Sequence, residues 1–215
     1  MALPKPQKNE SKEWPKHEAG TFQLALADVI YLGHRVTKNF KQETVAQERV
    51  ALIWQSMECE PGTADRFELA TEFTYSAHEK ANLRKFLAPW IGPFANDAAA
   101  EAAITSLDGR IGENVLATIA HNPGKQDPSK VYVNVETVGK LMKGMQPFAV
   151  AGYSRKEYWT KKIADYAAAY TAFLTDKGKA KEEAAVNAEK FPAAAQGLDE
   201  FPAALEDDGD QSLPF

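Results

Sequence analysis

Strand patterns recur five times in this chain, three before the first helical pattern and two after it, and that order restricts the folds open to it. Thr21 to Gly33 carries Phe22, Leu24, Leu26, Ile30 and Leu32 on one parity, interrupted by Asp28, and reads as a long first strand bulged near Asp28. Glu48 to Met57 gives the second, ended by the turn Glu58-Cys59-Glu60-Pro61-Gly62. Phe67, Leu69, Phe73 and Tyr75 alternate with Glu68, Glu72 and Thr74 in the third, the pattern of a half-buried strand.

Ser76 precedes Glu79 by capping-box spacing, and Leu83, Phe86, Leu87 and Trp90 repeat at helical intervals behind it. A helix over about Ala77–Trp90 is therefore expected, stopped by Pro93, and the Ala-rich stretch Asn96–Ile104 reads as a second, short one. Val115–His121 gives a fourth strand, the turn Asn122-Pro123-Gly124 follows, and Val131–Val135 gives a fifth with its valines inward. Three strands, a helix and two strands is the order of the OB-fold, a five-stranded Greek-key barrel with the helix after strand three. The expectation is a mainly β protein with added helices: a flexible arm over 1–20, an OB-fold domain over 21–150, an amphipathic helix over 151–176, and a disordered linker and acidic tail over 177–215.

That later helix has its own pattern. Ser154 and Glu157 repeat the capping-box spacing, and Trp159, Ile163, Tyr166, Tyr170 and Phe173 or Leu174 share one stripe, opposite Arg155, Lys156, Lys161, Lys162 and Asp165. A stripe of this size reads as packing, either against the barrel or against a second copy in a homo-oligomer, with base stacking as the alternative.

Charge divides the chain. Residues 177–215 carry four lysines against nine acids, a net of −5, which is the net charge of all 215 residues, so the body is neutral. A neutral body binds nucleic acid only where its Lys and Arg gather on one face. Residues 1–20 lack an apolar signal-peptide core and no run reaches membrane-spanning length, which points to a cytoplasmic protein without a membrane partner. A single Cys59 excludes an internal disulfide framework, and His17, His34, His78 and His121 show no metal-ligand spacing, so neither metal nor cofactor is expected. No Gly-rich phosphate loop, paired metal-binding carboxylates or nucleophile signature is present, and the chain reads as a non-enzyme.

The final eleven residues place Glu206, Asp207, Asp208 and Asp210 before Leu213, Pro214 and Phe215. Too few apolar residues are present to offset the entropy of ordering, so docking is the expected use: the acids steer toward a basic surface and Phe215 fills a pocket. The bland alternative is a solubilising terminus. This tail resembles that of the bacterial and phage single-stranded DNA-binding proteins, which end in acids followed by Pro-Phe and recruit replication and repair enzymes. Competition between the tail and DNA for the same basic surface is expected as well.

The likeness extends into the body. Phe73-Thr74-Tyr75-Ser76, the run His78 to Leu87, Trp90-Ile91-Gly92, Leu107 to Gly112 and the opening Met1-Ala2-Leu3-Pro4-Lys5-Pro6 resemble a family of phage-encoded OB-fold proteins found among replication and recombination genes. The resemblance covers roughly residues 1–145, and none of its motifs is a catalytic signature; the helix after Pro147 departs from the short members of the family. It implies single-stranded DNA binding in a host bacterial cell, with replication or recombination proteins as partners.

An OB-fold binds single strands across strands two and three, flanked by the loops between strands one and two and between strands four and five. The first loop, His34 to Lys41, interleaves Arg35, Lys38 and Lys41 with Phe40, which supplies phosphate attraction and a stacking ring; a solvated hairpin tip is the alternative. Trp54 with Arg49 nearby on strand two is a stacking platform if its ring points outward and core if inward. Tyr132 is expected to point outward beside Lys130, and Lys125 belongs to the second loop. Lys80 and Arg84 decorate the helix after strand three, where solvated charge is the alternative. The competing function is a protein-interaction module or scaffold without significant nucleic-acid affinity, for which the neutral body and the acids of strand three argue.

Overall fold

The computed structural model describes residues 15–124, 127–128 and 130–190, with the backbone alone for 180–190. Among these residues it is mainly β, with one five-stranded antiparallel sheet and three helices. The strands are β1 (Gly20–Lys38), β2 (Thr44–Cys59), β3 (Arg66–Thr74), β4 (Asn114–Pro123) and β5 (Val131–Lys140), hydrogen-bonded in the order β3-β2-β1-β4-β5. The helices are α1 (Asn82–Ile91), α2 (Asp97–Thr105) and α3 (Glu157–Lys190), with a short 3-10 turn at Leu107–Arg110. Helix α1 lies against both end strands of the ladder, β3 and β5.

The sheet buries both faces of its β1-β2 half. Leu24 and Leu26 of β1 and Val50, Leu52 and Trp54 of β2 face a core completed by Leu83, Leu87 and Trp90 of α1 and by β4 and β5. Ala27, Ile30 and Leu32 of β1 and Ala51 and Ile53 of β2 face the other way and pack on Trp159, with Val150, Tyr153, Ile163 and Tyr166 around them. Two bulges in β1 permit this: its register against β2 slips between Leu26 and Asp28 and again between Tyr31 and Gly33, turning Asp28, Ile30 and Leu32 to the second face. The slip near Asp28 is where the broken alternation predicts a bulge.

Both first strands outrun their expected limits. The sequence predicts Thr21–Gly33 and Glu48–Met57, but pairing continues from Gly33–Arg49 to Lys38–Thr44. Neither β4, which pairs with Gly20–Ala25, nor β3, which stops at Arg49, follows it there. The hairpin therefore projects as a two-stranded arm, and the expected loop of residues 34–41 shrinks to its tip.

Neither capping box operates. Helix α1 starts at Asn82 behind Ala81, which gives no side-chain cap, while the Ser76 hydroxyl accepts from the His78 amide in a preceding turn. Helix α3 starts at Glu157, three residues after Ser154, whereas α2 is capped by the Asn96 side chain, which accepts from the Ala99 amide at 2.8 Å. At its other end α3 continues over 177–190, which composition assigns to a linker; the Ala, Lys and Glu of that stretch are strong helix formers.

A strap from Gln146 to Arg155 carries the chain from β5 to α3 across the sheet. Buried Gln55 donates to the Ala151 carbonyl at 2.8 Å and accepts from its amide at 2.9 Å, so one side-chain amide completes a peptide group as a neighbouring strand would. Asn114 does the same for Phe148, and Arg66 donates to the Ala149 carbonyl at 2.8 Å. Leaving such buried groups unpaired costs about 1–3 kcal/mol each, which fixes where α3 begins.

Candidate nucleic-acid interface

The outer face of β1-β2-β3, where an OB-fold would take a single strand, is occupied by this chain itself. Three acids project from it and each meets a cation of the strap or of α3. Asp28 receives both Nε and Nη2 of Arg155 at 2.9 Å and the Tyr153 hydroxyl at 2.8 Å. Glu68 lies 2.8 Å from Lys156, and Glu72 bonds Lys162. Burial alone would raise the Asp28 carboxyl, but the bonds from Arg155 and Tyr153 and the Arg155 charge outweigh it, and the group titrates below its ordinary range. Tyr153 is pushed upward by burial and by the same carboxylate, so its hydroxyl stays a donor. Burial lowers Lys162 and Glu72 raises it, with a net rise that keeps it cationic. Lifting α3 away would uncover Asp28, Glu68 and Glu72, a surface that repels phosphate. The cover is thus part of the fold, and the strand-binding face expected from sequence is closed.

The arm keeps what that face lacks. At its tip Asn39 and Glu43 exchange three hydrogen bonds at 2.9 Å, and Gln42 takes a left-handed backbone with φ 63°. This ordered turn leaves Phe40 80% exposed with the Lys41 ammonium 5.6 Å from its ring centre. Arg35 and Lys38 are exposed on β1, and with Lys41 they form no ion pair among the described residues. At the base of the arm the His34 ring stacks on Tyr170 of α3 with centres 4.0 Å apart and planes 6° from parallel. His34 Nε2 lies 3.6 Å from Glu48, whose carboxylate accepts the Tyr31 hydroxyl at 2.7 Å. Burial and that carboxylate push the Tyr31 phenol up to about 12, so it remains neutral.

The other expected residues scatter. Trp54 is fully buried among Phe86 and Trp90, so it is core and not a stacking platform; parity left the choice open because both faces of β2 are apolar. Arg49 points at Thr74 of β3, donating to its hydroxyl at 3.0 Å. Arg84 is spent on Asp97 and on the Ala77 carbonyl, tying α1 to α2 in place of presenting a solvated charge. Lys80 is exposed, in the turn before α1. Arg110, in the turn before β4, pairs with Glu113 at 3.0 Å and lies over Trp90. Lys130 and Tyr132 are exposed, Tyr132 by 55%, as the inward valines require. They lie beyond the Gly20 end of β1, whereas the arm leaves from its Lys38 end. The two flanking groups therefore mark opposite ends of one strand.

Lys125, Asp207, Asp208, Asp210, Leu213, Pro214 and Phe215 lie outside the described residues. Among the described residues no three His, Cys, Asp or Glu side chains are grouped to hold a metal ion, and no helix is long and apolar enough to cross a membrane. Sequence reading assigns Tyr170 and Phe173 to packing and gives His34, the first residue of the expected loop, no role of its own in this surface. The i, i+3, i+7 spacing of Tyr170, Phe173 and Lys177 was visible, but not that the sheet ends beneath them. No family model matches the chain, and no curated protein matches it.

Proposed function

We propose that the chain binds single-stranded DNA with little regard to sequence, through the β1-β2 arm and not across the β2-β3 face. One observation carries this: Phe40 stands 80% exposed at the end of an ordered arm that also carries Arg35, Lys38 and Lys41, three cations without an ion-pair partner among the described residues. A single exposed ring is ordinary by itself, but a ring and cations on one projecting arm together offer a stacking face and phosphate attraction, which suits a ligand with flat bases and a charged backbone. The strand order and the position of α1 between β3 and β5 favour a closed, Greek-key OB barrel as the scaffold. The phage-family likeness of the segments around Tyr75, Leu83 and Gly109 favours replication or recombination in a bacterial cytoplasm as the setting. The acidic Leu-Pro-Phe tail is the element that would recruit partner proteins.

The covered β2-β3 face favours one second reading, a protein-interaction module without nucleic-acid affinity. Titrating a fluorescent poly-dT oligonucleotide with the full chain at low and moderate salt separates the two. The DNA reading expects binding that weakens with salt by a logarithmic slope of about 0.7 per phosphate contacted. Absence of binding at low salt would leave the module.

A further inference from the structure

Helix α3 outruns the sheet it covers. Its stripe of Trp159, Ile163 and Tyr166 packs in the second apolar cluster, but the next two members, Tyr170 and Phe173, lie beyond that cluster. Tyr170 has His34 on one face, Phe173 follows 6.3 Å from it with planes 26° apart, and the Lys177 ammonium lies 4.8 Å from the Phe173 ring centre. The result is a ladder of three rings, ended by a cation on an exposed, flexible stem.

The ladder flanks the arm. Helix α3 runs in the direction of β1, since Trp159 packs beside Ile30 and Tyr170 beside His34. From Tyr170 to Lys177 is about 10 Å of helix, and from His34 to Lys38 about 13 Å of strand, so the ladder spans a length similar to the paired part of the arm. An isolated two-stranded hairpin is marginal in water, and the His34–Tyr170 stack ties the base of this one to α3.

We propose that Tyr170, Phe173 and Lys177, with His34, form a base-stacking wall for single-stranded nucleic acid beside the arm, making α3 a binding element as well as a cover. The inference rests on the single-strand reading above. Lys177 occupies the side of Phe173 that a base would take, and its stem lets the ammonium swing to the adjoining phosphate. Two acids lie close by: Glu48, engaged by Tyr31 and His34, and exposed Asp176 next to Lys177. With those charges present, the wall contributes through its rings and hardly through net charge.

The test measures affinity for poly-dT and for poly-U over a salt series, using the full chain, Tyr170→Ala, Phe173→Ala and Tyr170→Phe. Each Ala variant should bind about 5- to 150-fold more weakly with an unchanged salt slope, and Tyr170→Phe should bind as the parent. Equal losses on both oligonucleotides assign the wall to any single strand, and a loss on one alone assigns it to that polymer. If an Ala variant melts lower than the parent, cross-linking of the intact chain to a bromodeoxyuridine oligonucleotide decides, with adducts at Tyr170 or Phe173 expected and adducts elsewhere alone overturning the wall. Parental affinity in both Ala variants, together with loss in a Phe40→Ala control, overturns the wall and leaves the arm. A parent that binds neither polymer overturns both.

Discussion

Arg155 grips Asp28 with two parallel hydrogen bonds of 2.9 Å, joining the strap before α3 to the bulge in β1. The bulge turns the carboxylate out of the core, and the guanidinium reaches it where the strap ends, so a local irregularity of one strand decides where a distant helix docks. Arg155 is 46% exposed, so solvent screening reduces the pair to about 1 kcal/mol.

Asp28→Asn should lower stability by about that amount at neutral pH. Because folding lowers the Asp28 pKa, its contribution is complete above the unfolded value, near 3.8, and is lost as pH falls through the folded value. Denaturant melts should show the parent and the Asn variant converging below about pH 4. A gap that stays constant down to the acid limit would mean that the ion pair is not the source of the difference.

Trp159→Ala removes a side chain of α3 that is buried against the sheet's second face. A loss of about 3–5 kcal/mol follows for a buried aromatic, on the order of 10 °C in melting temperature. A parental melting curve would mean that α3 does not pack on the sheet in solution.

Trp54 gives the opposite test of the face expected from sequence. Its indole Nε1 is buried with no hydrogen-bond partner among the described residues, so Trp54→Phe removes an unsatisfied donor while opening a small cavity. The two effects should roughly cancel, to within about 2 kcal/mol, with oligonucleotide affinity unchanged. A large affinity loss without a stability loss would place the nucleic acid on β2.

The strands were legible because their apolar residues alternate, and Asp28 marked its bulge because a carboxylate cannot replace Leu in a core-facing series. The length of the arm was not legible: residues 35–38 pair in the sheet only with residues 44–47, so no buried face imposes an alternation there. The capping-box spacings misled because Ser76 and Ser154 each lie in a turn or strap whose path is set by other contacts. For the site, residue type alone marked Phe40 as a loop aromatic. It could not show that Trp54 faces the core, since both faces of β2 are apolar, or that the acids of β1 and β3 already hold partners, since Arg155, Lys156 and Lys162 lie more than 80 residues from them in sequence.

Removing residues 205–215 should leave the melting temperature unchanged, modestly strengthen oligonucleotide binding at low salt, and abolish capture of partner proteins. Phe215→Ala should abolish capture alone, because no acidic side chain is lost. Identical recovery of partners by intact and truncated chains would return the tail to a solubilising role.

The most direct measurement compares poly-dT affinity over a salt series for the parent, Phe40→Ala, and the pair Lys38→Ala with Lys41→Ala. Binding through the arm predicts a loss worth about 1–3 kcal/mol with an unchanged slope for Phe40→Ala. For the lysine pair it predicts weaker binding and a slope shallower by about 0.7 per lost contact. Parental affinity and slope in both variants would contradict the account, because the arm would then carry neither the bases nor the phosphates.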